Sequence, residues 1–572
     1  MQIFKTLLSS IWRYKLELAL LLMLIFLSFY RIGNTKFWHD ESEVGMIGKQ
    51  ILRTGLPLAE DSDGILPVAL TNDFHTPWQP HLYRWQTWLM FYVAAAGMGV
   101  GGATEIAARF PFVCIGLLNL IFIYYLVKEL IGDIRLAKVT TLLLGFSAQY
   151  LILIRNARYY SLIMCLGTLS VFFFLQCMRS YLQDSVKKNK IVRSELGFLI
   201  SMVALFYTHY LSFYGFFIAF VALYLALLLW KRKLQISFSS LVWLGKRSFT
   251  WTIIGIVGFT TPWLMLFRKG ISGGGYFSML EAIQNVVTLA TKLNRTIPLI
   301  LVAGGLYVLF LRLSKEKRYA FQRFCVITIL MLVMTSIFLV SLMVALHLPP
   351  SFAPEFRYVL AIYPLLFIFL GAALLKIYDN SKVIGIIFFA MVMLSNAFSL
   401  PLEVSLPESY WPLPQSRFSV RSYLFEYISK ELKDGYAGPV DNITAFLSKR
   451  EHSQQKVFSS LEGLALKFSL NNTKVDNAYT FSLRMNRPMV ARDLLEYDWV
   501  IFRNACAIEC SGLNETDVTQ VLEKNFIAFE LNSFDYIVNN REEVPYHFFS
   551  SPVHPPHVVV YGRKNSFDTK NE

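Results

Sequence analysis

Repeated apolar runs of membrane-spanning length constrain this chain more than any other feature. A helix of roughly 17 to 25 apolar residues crosses the hydrocarbon core of a bilayer. Only 16% of the 572 residues are charged, whereas soluble domains carry roughly 25%. The sequence therefore predicts an α-helical polytopic membrane protein. The apolar runs lie near residues 16–32, 109–127, 136–153, 160–178, 196–210, 212–230, 248–267, 297–312, 325–347, 357–375 and 382–399.

The basic residues predict how these runs are oriented. Lys and Arg cluster in every second loop, as is typical of cytoplasmic loops, so the net charge of +15 does not indicate nucleic-acid binding. One further apolar run, residues 82–100, is ambiguous. If it crossed the membrane, every later basic loop would face outward, so we interpret it as a juxtamembrane or re-entrant helix on the outer face. Eleven spans follow, with the N-terminus cytoplasmic and the C-terminus outside.

Residues from about 400 onward have a different pattern. A proline-rich linker is followed by the segments "DWVIFR", "DYIVNN" and "HVVVYGRK", which read as short strands between helical stretches. The sequence thus predicts a membrane domain, 1–399, and an extracytoplasmic α/β domain, 400–572. The first outer loop, 33–81, belongs to the membrane domain in this division. Cys506 and Cys510 lie in the outer domain, where an oxidising compartment would let them form a disulfide.

Polar residues of particular kinds collect on the predicted outer face. Arginine and tyrosine can hold an anionic head group, and a carboxylate can accept a proton from an attacking hydroxyl. This combination suits a phosphate-bearing amphiphile as substrate. The candidate residues are Asp40, Glu41, His75, His81, Arg158, Tyr159, His209, Arg357 and Tyr358.

Several segments, taken in order, resemble one family. A first apolar run precedes "WHDE" and "ILRTGLP". "QPHLYRW" follows, then "GATEIAARF" with the spacing G-x-x-E-x-x-x-R, then "RNARYYSL" and "RYVLAIYP". Over residues 16–375 this order resembles the GT-C membrane glycosyltransferases. It is most similar to glycosyltransferase family 39, with the bacterial relatives of the protein O-mannosyltransferases and the lipid A aminoarabinose transferases.

The resemblance implies an activity and roles. It implies inverting transfer of a single sugar from a polyprenyl-phosphate donor to a glycan, lipid or protein acceptor, outside a bacterial inner membrane. Asp40 matches the general base, and Glu41 matches a second acid that orients the acceptor or keeps Asp40 ionised. The seven other candidates are expected to bind substrate. No cofactor is implied with certainty, and a divalent metal stays an open alternative with no assigned ligands.

The sequence departs from the family pattern at two places. Several relatives carry an acidic residue in the second outer loop, where this chain has Arg158 and Tyr159. The Pro-Pro pair of the family is Pro80-His81 here. The identity of the sugar therefore cannot be transferred from the resemblance.

Other interpretations of the same residues stay open. Asp40 and Glu41 suit the N-terminal turn of a helix, where the helix dipole favours acids. Arg158 and Arg357 suit interfacial anchors whose charged ends reach water, and His209 suits simple packing. At the level of the whole protein, a transporter or flippase, or a non-catalytic polyprenyl-lipid-binding protein, would also suit a polytopic chain of this kind.

Overall fold

The structure is a computed structural model of the 572-residue chain. Three of the sequence-based expectations fall outside the residues it describes. These are His75, the cysteine pair Cys506 and Cys510, and the predicted strand in "DYIVNN". The described residues are 15–62, 64–67, 81–84, 86–182, 188–232, 248–267, 279–315, 319–347, 355–399, 428–429, 432–433, 438–450, 455–460, 463–470, 473–502, 513–534 and 557–564.

The chain divides into two compact units, each built from two segments. The helical unit comprises Met1–Tyr30 and Phe112–Ile428, and the mixed unit comprises Arg31–Pro111 and Ser429–Glu572. The division expected from the sequence placed its boundary at residues 399 and 400 and kept the first outer loop with the membrane helices. The compact units instead group that loop with the C-terminal region, because the side chains of the loop pack against C-terminal elements.

The helical unit consists of long apolar helices. Most of them, such as Leu299–Ser314 and Lys382–Leu394, are composed mainly of aliphatic and aromatic residues, whereas Met279–Thr296 also carries many polar residues. The helices are α1 Lys15–Phe29, α4 Glu105–Leu126 with a π-helical end Val127–Ile131, α5 Ile134–Phe146, α6 Ala148–Ile154, α7 Tyr160–Leu182, α8 Lys188–Thr208, α9 Tyr210–Arg232, α10 Ser248–Phe267, α11 Met279–Thr296, α12 Leu299–Ser314, α13 Ala320–His347, a 3-10 helix Phe356–Ile362, α14 Tyr363–Asn380 and α15 Lys382–Leu394. The first seven residues of α4 belong to the mixed unit.

The predicted fold class, an α-helical polytopic membrane protein with a C-terminal α/β region, is confirmed. Within the described residues, six helices are long and apolar enough to span a membrane, and the number rises to eight if each of two bent helix pairs counts as one span. The predicted count of eleven is not confirmed. The chain is an integral membrane protein by this measure.

Both bent pairs have a local cause in the sequence. Helices α5 and α6 meet at 66°, where Ser147 has extended backbone and ends one helix as it begins the next. Helices α11 and α12 meet at 88°, just before Pro298, which has no backbone N–H to continue a helix. There the Asn294 side chain accepts from the backbone N–H of Leu299 at 3.1 Å.

Arg155 fixes the end of the first helix. Its guanidinium donates to the backbone carbonyls of Leu27 and Tyr30, each at 2.8 Å, and the side chain is fully buried. The last carbonyls of a helix have no partner within the helix. Arg155 therefore supplies hydrogen-bond donors to carbonyls at the end of α1.

The mixed unit contains helices from the first loop and from the apolar run 82–100, and a sheet from the C-terminal region. Helix α2 comes from the loop. Helix α3 comes from the run expected to be juxtamembrane, has 13 residues and is shorter than a membrane span. The elements are α2 His39–Thr54, β1 Glu60–Asp61, β2 Gly64–Ile65, α3 Leu89–Gly101, α16 Pro439–Ser448, β3 Gln455–Ser459, α17 Gly463–Ser469, β4 Thr473–Asp476, α18 Ala478–Met485, a 3-10 helix Ala491–Glu496, β5 Trp499–Ile501, α19 Glu515–Asn525, β6 Phe526–Phe534 and β7 His557–Arg563.

The C-terminal sheet has five strands in the order β4-β3-β5-β7-β6. Strand β3 pairs in parallel with β4 and β5, whereas β7 runs antiparallel to β5 and β6. Successive side chains of a strand point to opposite faces. Val457 and Phe458 accordingly enter two separate apolar clusters, one on each face. "DWVIFR" and "HVVVYGRK" contain strands β5 and β7 as predicted, and "DYIVNN" lies outside the described residues.

Candidate functional site

Helix α2 carries three carboxylates near its beginning. Asp40 and Glu41 lie in the first turn, and Glu43 follows in the next. Acids are favoured there by the helix dipole, and Gly55 ends the helix in the left-handed conformation. Asp40 and Glu41 thus lie at the start of a helix, as one interpretation of the sequence predicted. This position is compatible with a chemical role.

Glu41 is held in a fully buried ion pair. Arg109 donates from Nε to Oε1 at 2.9 Å and from a terminal nitrogen to Oε2 at 2.6 Å, and both side chains have no solvent exposure. The same guanidinium donates to the backbone carbonyls of Ile32 and Thr35, at 2.7 and 2.9 Å. Arg109 thereby fixes both the carboxylate and the chain that leads into α2. This geometry suits a positioning role for Glu41.

Glu43 is buried and held by neutral groups. The phenol of Tyr83 donates to one carboxylate oxygen, and the Gln86 amide donates to the other at 3.1 Å. Tyr83 belongs to the "QPHLYRW" segment and is itself fully buried. The segment that resembles the family's Pro-Leu-Tyr motif therefore supports the acid-bearing helix from the side.

Asp40 differs from these two neighbours in its exposure. Its side chain is half-buried, whereas Glu41 and Glu43 are buried. A general base has to reach a hydroxyl of a substrate. Among the carboxylates of α2, Asp40 is the one whose environment leaves access to solvent.

His81 lies in a segment that pairs with the residues just after α2. Its backbone has φ 69°, in the left-handed region, and its carbonyl accepts from the backbone N–H of Ala59 at 2.8 Å. Its Nε2 lies 3.5 Å from a carboxylate oxygen of Glu60. His81 is thus beside an acid of the β1 hairpin, and its role as a substrate ligand stays a prediction, as does that of His75.

Five of the predicted substrate-binding residues come together in the helical unit. The His209 ring stacks on Tyr159 at 4.9 Å between ring centroids and faces Tyr358 at 6.1 Å. The guanidinium of Arg158 lies 5.0 Å from the Tyr159 ring, and that of Arg357 lies 5.4 Å from the Tyr358 ring. We call these residues, Arg158, Tyr159, His209, Arg357 and Tyr358, the cation–aromatic cluster.

His209 is a neutral member of that cluster. It lies in the turn between α8 and α9, and the backbone N–H of Ser212 donates to Nδ1 at 3.2 Å. Since Nδ1 accepts, the ring proton is on Nε2. Burial, Arg357 and Arg158 together lower the pKa of His209 to about 3. The ring can therefore donate a hydrogen bond but adds no positive charge near neutral pH.

The two arginines are held differently from interfacial anchors. Snorkelling leaves a guanidinium in water, but Arg158 is only 3% exposed. The Arg357 guanidinium pairs with the carboxylate of Glu355. Both cations are therefore held in place by neighbouring protein groups, which is the arrangement that an anion-binding site needs.

The sequence-based candidate set missed Arg109, which holds Glu41, and the buried acids Glu43 and Glu105. The G-x-x-E-x-x-x-R spacing contained Glu105 and Arg109, but the pairings of Arg109 with Glu41 and of Glu105 with Lys36 are tertiary contacts. Among the described residues, no group of three or more His, Cys, Asp or Glu side chains could hold a metal ion. The described residues therefore offer no ligand set for a divalent metal, and the dependence on a metal stays an open alternative.

No protein-family model and no curated protein matches the sequence. Solved structures do match. Apo ArnT from Cupriavidus metallidurans superposes with a TM-score of 0.58 at 13% identity, over 97% of this chain and 98% of that one. The same protein bound to undecaprenyl phosphate gives 0.58 at 12% identity, over 96% and 98%. The apo oligosaccharyltransferase of Archaeoglobus fulgidus gives 0.43 at 12%, over 90% and 69%. The likeness to ArnT over nearly the full length of both chains confirms the GT-C fold expected from the sequence.

Proposed function

We propose that this protein is an integral-membrane glycosyltransferase that moves a single sugar from a polyprenyl-phosphate donor to a glycan, lipid or protein acceptor. The observation that carries the proposal is the acid-bearing start of α2. Its carboxylate at position 40 is half-buried, while the one beside it is locked in a buried ion pair. The shared fold with ArnT, which has been seen with undecaprenyl phosphate, supports the choice of donor class.

In this proposal Asp40 is the general base. Its carboxylate takes the proton of the acceptor hydroxyl as that oxygen attacks the anomeric carbon of the sugar. The bond between the anomeric carbon and the phosphate oxygen breaks on the opposite face, so the configuration inverts, and polyprenyl phosphate leaves. One carboxylate opposite the leaving group suffices for inversion here, because a phosphate can leave without being protonated. Glu41 acts as a positioning residue through its pair with Arg109.

The phosphate is assigned to the cation–aromatic cluster. Arg158 and Arg357 supply positive charge to the phosphate as negative charge develops on it, and Arg is suited to planar, bidentate contact with phosphate oxygens. The Nε2–H of His209 offers a further neutral donor. Tyr159 and Tyr358 hold these groups by stacking. His75 and His81 remain proposed ligands of the sugar or the acceptor.

The proposed location follows from the sequence. The membrane is a bacterial inner membrane, the N-terminus is cytoplasmic, and transfer takes place on the outer face, where the C-terminal α/β region also lies. The orientation rests on the distribution of Lys and Arg among the loops, and the bacterial inner membrane is the expectation from the sequence.

A transfer assay in lipid tests the proposal. A panel of polyprenyl-phosphate monosaccharides is offered to wild type, Asp40→Asn and Glu41→Gln, and release or transfer of labelled sugar is measured. We expect turnover by wild type with at least one donor and a fall of about a thousand-fold in Asp40→Asn, within the range for loss of a general base.

Asp517→Asn provides the matched control. Asp517 is likewise an acid in the first turn of a helix, α19, so it shares the dipole interaction of Asp40. We expect full turnover from this variant. If wild type binds every donor in the panel but turns over none, the proposed glycosyltransferase activity is contradicted. That result would favour a non-catalytic lipid-binding protein.

A further inference from the structure

Helix α17 of the C-terminal region packs on the acid-bearing helix α2. The Phe468 ring lies 4.6 Å from the Phe37 ring, centroid to centroid, and Phe37 comes just before α2. The Lys49 ammonium of α2 lies 4.3 Å from the centroid of the same Phe468 ring. Phe468 is buried, and it contacts Phe37 just before the helix that carries Asp40 and Lys49 in the second half of that helix.

Gly45 makes this approach possible. A Cβ at position 45 would lie 2.5 Å from Cε2 of Phe37 and 3.1 Å from Cε2 of Phe468. Contacts that short do not occur without movement of the neighbours. The absence of a side chain on this turn of α2 is therefore what admits the two rings.

Polar contacts fix α17 in this place. Lys49 donates to the backbone carbonyl of Phe468 at 3.1 Å. The neighbouring Lys467 forms a buried ion pair with Asp61 of the β1 hairpin, at 2.9 Å. Ser469 donates to Glu105 at 3.4 Å, and Glu105 also pairs with Lys36 at 3.0 Å. Three consecutive residues of α17 thus contact Asp61 of the β1 hairpin, Lys49 of α2 and Glu105 of α4.

The contact continues to the carboxylates. The Phe37 ring lies 5.1 Å from the guanidinium carbon of Arg109, and Arg109 holds Glu41. A path of direct contacts therefore runs from Phe468 through Phe37 and Arg109 to Glu41, whose neighbour in the chain is Asp40.

We propose that Phe468 is a positioning residue for Asp40, so that the C-terminal region takes part in the reaction by fixing the orientation of α2. The inference rests on the function proposed above. The C-terminal region then acts on the catalytic step itself, in addition to any role in capping the site or binding acceptor. Loss of orientation at a reacting group lowers the rate of the chemical step more than it weakens donor binding.

The test compares Phe468→Ala with Phe481→Ala. Phe481 is fully buried in the same C-terminal region, in the apolar cluster of α18 and α19, and this matched control removes the same ring from a core that does not include α2. For each variant, kcat and the donor KM are measured, together with amide hydrogen exchange of residues 39–54 and of residues 439–448. Phe468→Leu tests rescue, and Gly45→Ala displaces the rings with no loss of core volume.

We expect Phe468→Ala and Gly45→Ala to lower kcat about 10- to 100-fold with the donor KM within about twofold of wild type. Exchange should rise in residues 39–54 and stay unchanged in 439–448, and Phe468→Leu should recover most of the rate. Phe481→Ala should keep the wild-type kcat and the wild-type exchange of residues 39–54.

Two results would overturn the inference. One is unchanged exchange of residues 39–54 in both Phe468→Ala and Gly45→Ala. The other is an equal loss of kcat in Phe468→Ala and Phe481→Ala, which would reflect general destabilisation. If wild type transfers no sugar, the proposed function fails, whereas the exchange measurement still decides whether Phe468 fixes α2.

Discussion

The two units of this protein hold charges of opposite sign by different means. In the mixed unit, the buried acids of α2 are fixed by hydrogen bonds and an ion pair, to Arg109 and Tyr83. In the helical unit, Arg158 and Arg357 lie over tyrosine rings. A carboxylate is oriented by donors aimed at its oxygens, whereas a guanidinium can also be oriented by stacking on an aromatic ring. In the function proposed above, the buried acids fix the geometry around Asp40, and the cations bind the phosphate of the donor.

Removing Arg109 should have the largest effect on stability. Arg109→Met leaves Glu41 as a buried charge without its bidentate partner, and breaking a buried pair in this way typically costs about 3 to 5 kcal/mol. Thermal unfolding in detergent measures the loss. The double variant Glu41→Gln, Arg109→Met removes both charges and should recover part of that stability. An equal loss in the double variant would mean that the pair is not what Arg109 contributes.

Removing the cluster arginines should weaken donor binding. We expect Arg158→Gln and Arg357→Gln each to raise the Kd for polyprenyl phosphate about 10-fold or more, since a hydrogen bond to a charged group contributes about 1.5 to 3 kcal/mol. Arg179→Gln is the control, because Arg179 also lies over an aromatic ring of the helical unit, Phe321 at 5.7 Å. If all three variants weakened the binding of polyprenyl phosphate equally, the cation–aromatic cluster would not be a specific phosphate site.

The neutral state of His209 gives a smaller, pH-dependent effect. In the folded protein the pKa of His209 is lowered to about 3, whereas an unfolded histidine takes up a proton below about pH 6.5. The unfolded state therefore binds more protons between these values, and stability falls as the pH drops below about 6.5, by at most about 1.4 kcal/mol per pH unit. His209→Gln should show a flatter decline in Tm between pH 7 and pH 5. An equal slope in both proteins would contradict a buried neutral ring.

The same structure shows what a sequence can and cannot predict. The acids of "WHDE" were placed at a helix start, and the cluster residues were brought together by motif order, because both depend on local pattern and membrane topology. Arg109 was missed as the partner of Glu41, 68 residues away, since the rotation of α4 against α2 is set by packing alone. Phe468 lies 419 residues from Lys49. Helix α11 was missed as well, because polar residues on one of its faces lower its average hydropathy.

The shape of one predicted span differs from the structure for a related reason. An average over a window of residues does not detect a bend, so the run 136–153 was taken as one helix, although Ser147 divides it into α5 and α6. A single extended residue changes the direction of the chain by 66° without changing its hydropathy. Local backbone geometry, rather than composition, therefore determines that this run forms two helices instead of one.

The donor affinity of Asp40→Asn, measured beside its turnover, separates the two roles proposed here. We propose that Asp40 performs the chemistry and that Arg158 and Arg357 bind the lipid phosphate. The account predicts that Asp40→Asn binds polyprenyl phosphate with a Kd within about twofold of wild type while turnover falls about a thousand-fold. Turnover at the wild-type rate, or a loss of affinity large enough to explain the loss of turnover, would contradict it.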